Sequence, residues 1–197
     1  MSEYLPRKER ITLSAIDIIH ELGLQGLTTR EIAKREGVSE AALYRHFKNR
    51  DEIVAAVVTY YGRFDQSIVR TTEQLQMEAL PAVLFITGRL AEYYEGYPAV
   101  TAIGMAFRSL QSDRTFTELT TDIYRFRTET VERLLRQAEK DGALRPAAKP
   151  ELLSLVIWSA FYSQVNDWRA AGYRYPLAAK SSETISMLLE LAVKQSG

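Results

Sequence analysis

The chemistry this sequence offers most plainly lies in the basic side chains of residues 28–50. Arg30, Lys34, Arg35, Arg45, Lys48 and Arg50 face only Glu31, Glu36 and Glu40 there. A local excess of positive charge is what phosphate groups require of a partner. The whole chain holds 25 basic and 25 acidic residues, so only the distribution of charge is informative. The stretch TTREIAKREGVSEAALYRHF, residues 28–47, is spaced as a helix, a glycine turn, a capping serine and a second short helix. Thr28 with Glu31 forms a capping-box pattern, Gly37 supplies the turn, and Ser39 starts a second helix through about Phe47. Ile32, Ala33, Val38 and Leu43 are expected to point inward, while Ala41 and Ala42 keep the second helix slim enough for a major groove. Glu40, Tyr44, Arg45 and His46 then face outward, with Lys48 just beyond, a set rich in groups for phosphates and base edges. A plain helical hairpin with solvated charges would display part of the same pattern.

Enzymatic chemistry has little material. There are no cysteines and two histidines, His20 and His46, too few for a histidine-based triad or a metal cluster. No glycine-rich phosphate loop, HExxH or GxSxG occurs. Paired acids such as Asp51 and Glu52, or Glu129 and Glu132, read as helix starts and solvated faces. No catalytic or metal-ligating residue is assigned, and no cofactor is expected. The rival reading, an enzyme behind a helix-turn-helix look-alike, would reveal itself by turnover without DNA affinity.

Apolar residues recur throughout at the helical period, with no sustained alternation of the strand type, so the expected fold is all-α. A first helix over about 7–22 carries Ile11, Ala15, Ile16, Ile19 and Leu22 and stops at Gly23. Asn49 with Glu52 opens a fourth helix expected to reach the Thr71 region, followed by one over about 78–94 and another starting at Pro98. Phe116, Leu119, Ile123, Phe126, Thr130, Leu134 and Ala138 stripe a long helix closed by Asp141 and Gly142. A helix over about 151–171 is apolar almost all round, and a last one over about 182–194 has a single stripe. About nine helices result, in a three-helix DNA-binding domain (1–50) and a larger helical domain (51–197). No apolar run approaches the about 20 residues of a membrane span, and the start, MSEYLPRKER, lacks a hydrophobic signal core. The expectation is a soluble, cytoplasmic protein.

The segment RITLSAIDIIHELGLQGLTTREIAKREGVSEAALYRHFKNRDEI, residues 10–53, resembles the DNA-binding domain of the TetR family of transcriptional regulators, most closely in GVS followed by LYRHFKNRDEI. The family usually has an aromatic residue near Ile19 and another where this chain has Leu24; both departures avoid the recognition face. The resemblance implies a homodimer of about nine helices per subunit, the first three binding a palindromic double-stranded operator and the last two forming the dimer interface. It implies that Thr28, Thr29, Ser39, Tyr44, His46 and Lys48 hold phosphates, while Arg30, Glu40, Ala41 and Arg45 face bases. It further implies a ligand-responsive repressor associated with the nucleoid. A fainter likeness, in GVSEAALYRHF with GYPAVTAIGMAF and SDRTF, is to the nucleoid-occlusion branch, in which the helical domain of a DNA-bound adaptor meets a protein partner.

Residues beyond 50 are rich in aromatics. Most must be core, but aromatic walls with polar tips also suit a cavity for an apolar or aromatic effector. Phe64, Phe85, Tyr94, Phe107, Phe126, Phe161 and Tyr162 are the expected walls, with Arg108, Tyr162 and Asn166 as polar handles. For the dimer, the last two helices offer Leu155, Trp158, Ile185, Leu188, Leu189 and Ala192, a patch able to meet itself across a two-fold axis.

Overall fold

The computed structural model describes residues 5–194. Among them are ten α-helices: α1 (Arg7–Gly26), α2 (Thr29–Glu36), α3 (Glu40–Leu43), α4 (Arg50–Tyr61), α5 (Asp65–Gln74), α6 (Ala79–Gly96), α7 (Thr101–Gln111), α8 (Thr117–Lys140), α9 (Pro150–Ala170) and α10 (Leu177–Ala192). A 3-10 turn, η1 (Pro98–Val100), leads into α7. The fold is all-α, and no helix among the described residues is long and apolar enough to cross a membrane. The chain divides into two units, Met1–Arg63 with Tyr97–Ile123, and Phe64–Gly96 with Tyr124–Gly197.

In the first unit α1 buries Ile11, Ala15, Ile16, Ile18 and Ile19. The helix is interrupted at Gly23, whose φ of 72° and ψ of 174° suit only glycine, and one further turn follows to Gly26. Leu22 is exposed, so the inward stripe ends at Ile19. α4 buries Ile53, Val54, Val57, Val58 and Tyr61. The expected long fourth helix is broken: α4 stops at Tyr61, residues 62–64 lie outside any helix, and α5 begins at Asp65. Gly62 is a poor helix former, and Arg63 is drawn over the Tyr60 ring, 3.7 Å from its centroid, and towards Glu9 at 3.4 Å. The unit also includes η1 and α7. Tyr97 donates to Asp17 on α1 at 2.9 Å. Gly104 permits a close approach to Tyr61, since a Cβ there would stand 3.0 Å from the phenol oxygen. The head foreseen at 1–50 thus sits within a larger packed unit.

In the second unit α10 packs on α6 and α9, and α5 packs on α6. α8 differs from its expected stripe. Leu119, Ile123, Phe126 and Leu134 are half-buried, while Arg127, Val131, Leu135 and Ala138 are buried. Burial of Arg127 is supported by its partners, described below. α9 buries Ile157, Trp158, Phe161, Val165 and Trp168 but exposes Leu152, Leu155 and Val156. α10 starts earlier than expected, directly after Pro176, where the fixed φ of proline suits a helix entrance. Its far end is tied by an antiparallel bridge, with Arg145 N–H donating to Ala192 O and Lys194 N–H to Ala143 O, both at 3.0 Å.

Candidate functional site

The helix-turn-helix is assembled from local signals that the structure makes explicit. Thr28 caps α2, its hydroxyl oxygen accepting from Glu31 N–H at 3.1 Å, and Ser39 caps α3, accepting from Ala42 N–H at 3.2 Å. Each hydroxyl keeps its own proton for a second partner, such as a phosphate oxygen. Gly37 closes α2 in the left-handed conformation, φ 64° and ψ 36°, and Val38 N–H returns to Ala33 O at 2.9 Å. Ile32, Ala33 and Leu43 are buried and Val38 is half-buried. α3 itself is a single turn, shorter than the sequence suggests; the chain continues through turns at residues 44–46 to Phe47, which is buried and lies under the Lys8 ammonium, 4.9 Å from its ring centroid. Glu40, Ala41, Tyr44, Arg45, His46 and Lys48 are all exposed, as are Thr28, Arg30 and Ser39. Thr29 is half-buried and donates to the Glu40 carboxylate at 2.7 Å.

Part of the local positive charge has a structural use. Arg35 grips Glu21 with two hydrogen bonds of 3.0 and 2.6 Å, which holds the Glu21 carboxyl below its usual range and the guanidinium above its own. Arg50 donates to the carbonyls of Leu27 at 2.7 Å and Leu24 at 3.0 Å, closing the last turn of α1. Lys34 lies 3.9 Å from Glu31. Glu36, largely buried, accepts from Arg10 at 3.2 Å and Ser14 at 2.5 Å. Arg30, Arg45 and Lys48 are then the exposed cations that flank Tyr44 and His46. The roles of Arg35 and Arg50 escape sequence reading because their acceptors lie 14 to 26 residues away.

The model of bacterial regulatory proteins of the tetR family matches residues 11–57, the stretch just described. Over 51 residues the chain is 39% identical to the class C tetracycline repressor of Escherichia coli, covering 26% of this chain and 23% of that one. Residues 11–57 thus match the DNA-binding segment of the TetR family. The family is one of transcriptional regulators. The sequence match thus spans about a quarter of the relative's length. As a fold the likeness runs further. The ketosteroid transcriptional regulator KstR2 of Mycobacterium tuberculosis superposes with a TM-score of 0.84 over 98% of both chains at 19% identity. The regulator FadR of Bacillus subtilis, in complex with stearoyl-CoA, does so with a TM-score of 0.78 over 91% of this chain and 96% of that one, also at 19%. At such identities the likeness concerns the fold alone.

The expected effector walls do not converge on one cavity. Phe107 belongs to the first unit and packs edge-on against Tyr61, with centroids 5.0 Å apart. Tyr94 and Phe161 are buried against each other, and Trp158 stacks on Tyr162 with centroids 5.6 Å apart. At their centre is a polar group absent from the sequence reading: Arg127 donates to both Asp65 oxygens, at 2.7 and 2.9 Å, and to the hydroxyls of Tyr94 at 3.2 Å and Tyr162 at 3.0 Å. Phe126 borders a void of only about 10 Å³ beside this cluster. Asn166 is exposed, and the side chain of Arg108 lies outside the described residues. Phe64 and Phe85 do share a cavity, of about 580 Å³, with Ser67, Thr71 and Tyr93 between α5 and α6. Phe85 also borders a larger groove of about 890 Å³ between α6 and α10.

The expected dimer patch needs correction. Trp158, Ile185, Leu189 and Ala192 are buried within their own subunit, because the stripe of α10 is used against α6 and α9. Leu188 is half-buried and Leu155 exposed. Exposed apolar side chains on these helices are Leu152, Leu155 and Val156 of α9 and Met187 and Leu191 of α10.

Proposed function

We propose that this chain is a ligand-responsive transcriptional repressor that binds a palindromic operator as a homodimer. The observation that carries the reading is the exposed face of residues 39–48, where Arg45, Lys48, Tyr44 and His46 surround a helix slim enough for a major groove. Lys48, Tyr44, His46 and the capping hydroxyls of Thr28 and Ser39 take phosphates; Arg30, Glu40, Ala41 and Arg45 face base edges, with Thr29 steadying Glu40. A dimer sets two such faces about 34–36 Å apart, one turn of the duplex. The likeness to the tetracycline repressor supports repression as the mode of action, and the stearoyl-CoA complex of FadR supports a small-molecule ligand in this fold. Two open grooves of about 890 and 580 Å³ in the second unit support a small-molecule effector for the helical domain.

The test is a footprint on DNA flanking the chain's own gene, followed by salt titrations on that site. Lys48→Ala is expected to weaken binding to all sequences and reduce the salt slope by about 0.9 for each lost contact. Arg45→Ala is expected to relax the preference at one base pair of each half-site by about 1–3 kcal/mol. Wild-type affinity and slope in both variants would overturn the docking.

A further inference from the structure

The groove between α6 and α10 has features that a mere gap between helices does not need. Its floor on α6 runs through Leu80, Leu84 and Gly88, and its opposite wall through Ser186 and Leu189 of α10 and Val193 just beyond it. The two helices run antiparallel here: Ala178 N–H at the start of α10 donates to Glu95 near the end of α6 at 3.1 Å. From Leu80 to Glu92 the floor extends about 18 Å at the helical rise. Gly88 stands mid-helix, where glycine is the poorest residue but proline, yet a Cβ there would meet nothing within 4 Å. Neither a turn nor a close helix contact explains it, and its effect is to keep the floor of the groove open. The ends differ in charge. At one end Arg89 is already paired with Glu92; at the other stands Lys194, half a turn beyond α10, with Glu190 one turn before it on the same wall and no ion pair between the two.

We propose that this groove is the effector site, and that it takes a linear apolar chain ending in a carboxylate, with the chain along Leu80, Leu84 and Gly88 and the carboxylate at Lys194. The proposal rests on the regulator reading for the word effector alone; binding itself is independent of DNA. The apolar floor with little hydrogen-bonding capacity favours an alkyl or alkenyl body over a polar ring system. The length of the floor favours an extended molecule over a compact one. Paired as it is, Arg89 offers an anion less than Lys194 does, which places the head group.

The probe is cis-parinaric acid, a fluorescent C18 carboxylate, titrated into the purified chain without DNA. Saturable binding of one probe per subunit is expected, displaced by octadecanoate and far less by hexanoate. Gly88→Leu fills the floor and should weaken binding by about tenfold or more, and Ser186→Trp, from the other wall, should do the same if the leucine variant is poorly folded. Lys194→Ala should weaken it by roughly threefold, the scale of an exposed ion pair. Probe affinity within twofold of wild type in both blocking variants, or no saturable binding at all, overturns the site. A blocking variant that changes sedimentation but not probe binding overturns it too, in favour of a contact between copies. Loss of operator binding by ligand-free wild type would sink the regulator reading and leave the groove standing.

Discussion

Arg127 and Asp65 lie 62 residues apart in the chain, and nothing local in either neighbourhood announces their meeting. Both are more than nine-tenths buried, and the guanidinium fork matches the carboxylate with two short hydrogen bonds while its other amine serves two tyrosine hydroxyls. Such a pair adds little net stability compared with apolar residues of equal volume, but removing one partner leaves a buried charge uncompensated. Asp65→Ala is therefore expected to cost about 3–5 kcal/mol in urea unfolding. The double change Asp65→Leu with Arg127→Met should recover most of that loss. A single variant as stable as wild type would show that the carboxylate is dispensable.

Elements were legible wherever their signals were local. The caps at Thr28, Ser39 and Asn49 and the turn at Gly37 appear as read, because each depends on atoms within four residues. The inward turn of Arg127 was not legible, since its partner Asp65 lies 62 residues away; the break after Tyr61 and the start of α10 after Pro176 rest on local residues whose effect the apolar stripes masked. Of the candidate site, the outward exposure of Tyr44, Arg45, His46 and Lys48 was legible; the groove was not, because it requires α6 and α10 side by side. Glu52 joins the local and the distant. It completes the cap of α4 by accepting from Lys48 N–H at 2.7 Å, and it reaches Lys8 at 3.4 Å. The Lys48 hydrogen bond, with the Lys8 contact second, holds the Glu52 carboxyl below the usual carboxylate range. A depressed carboxyl stabilises the fold above its unfolded value, and that contribution disappears as pH falls through the folded one. Glu52→Gln should thus lower the thermal midpoint at neutral pH, and the gap from wild type should close in acid. A gap independent of pH would assign the loss to the cap's shape rather than to its charge.

At the scale of the whole molecule, large apolar side chains stand exposed on two helices of the second unit, α9 and α10. Leu152 is 59% exposed, Val156 48%, Met187 51% and Leu191 58%, on the two helices that the family resemblance assigns to the dimer. Exposed large apolar side chains concentrated on particular elements are the signature of a covered surface, and a two-fold axis lets one patch cover its own copy. The buried stripe of α10 is a poor place to test this, because a charge at Ile185 or Leu189 would unfold the subunit before it separated the pair. Leu155, at 44% exposure, is the better probe. Leu155→Arg sets a cation where a subunit alone tolerates it but an apolar interface does not. The variant is expected to sediment as a monomer at micromolar concentration with its helical content retained. Because an operator of two half-sites is held through both recognition faces at once, it should also lose the gain in affinity that comes from linking them, on the order of 10²-fold or more. Dimeric sedimentation of Leu155→Arg with unchanged operator affinity would move the interface away from α9, and the exposed side chains of α10 would then be next to test.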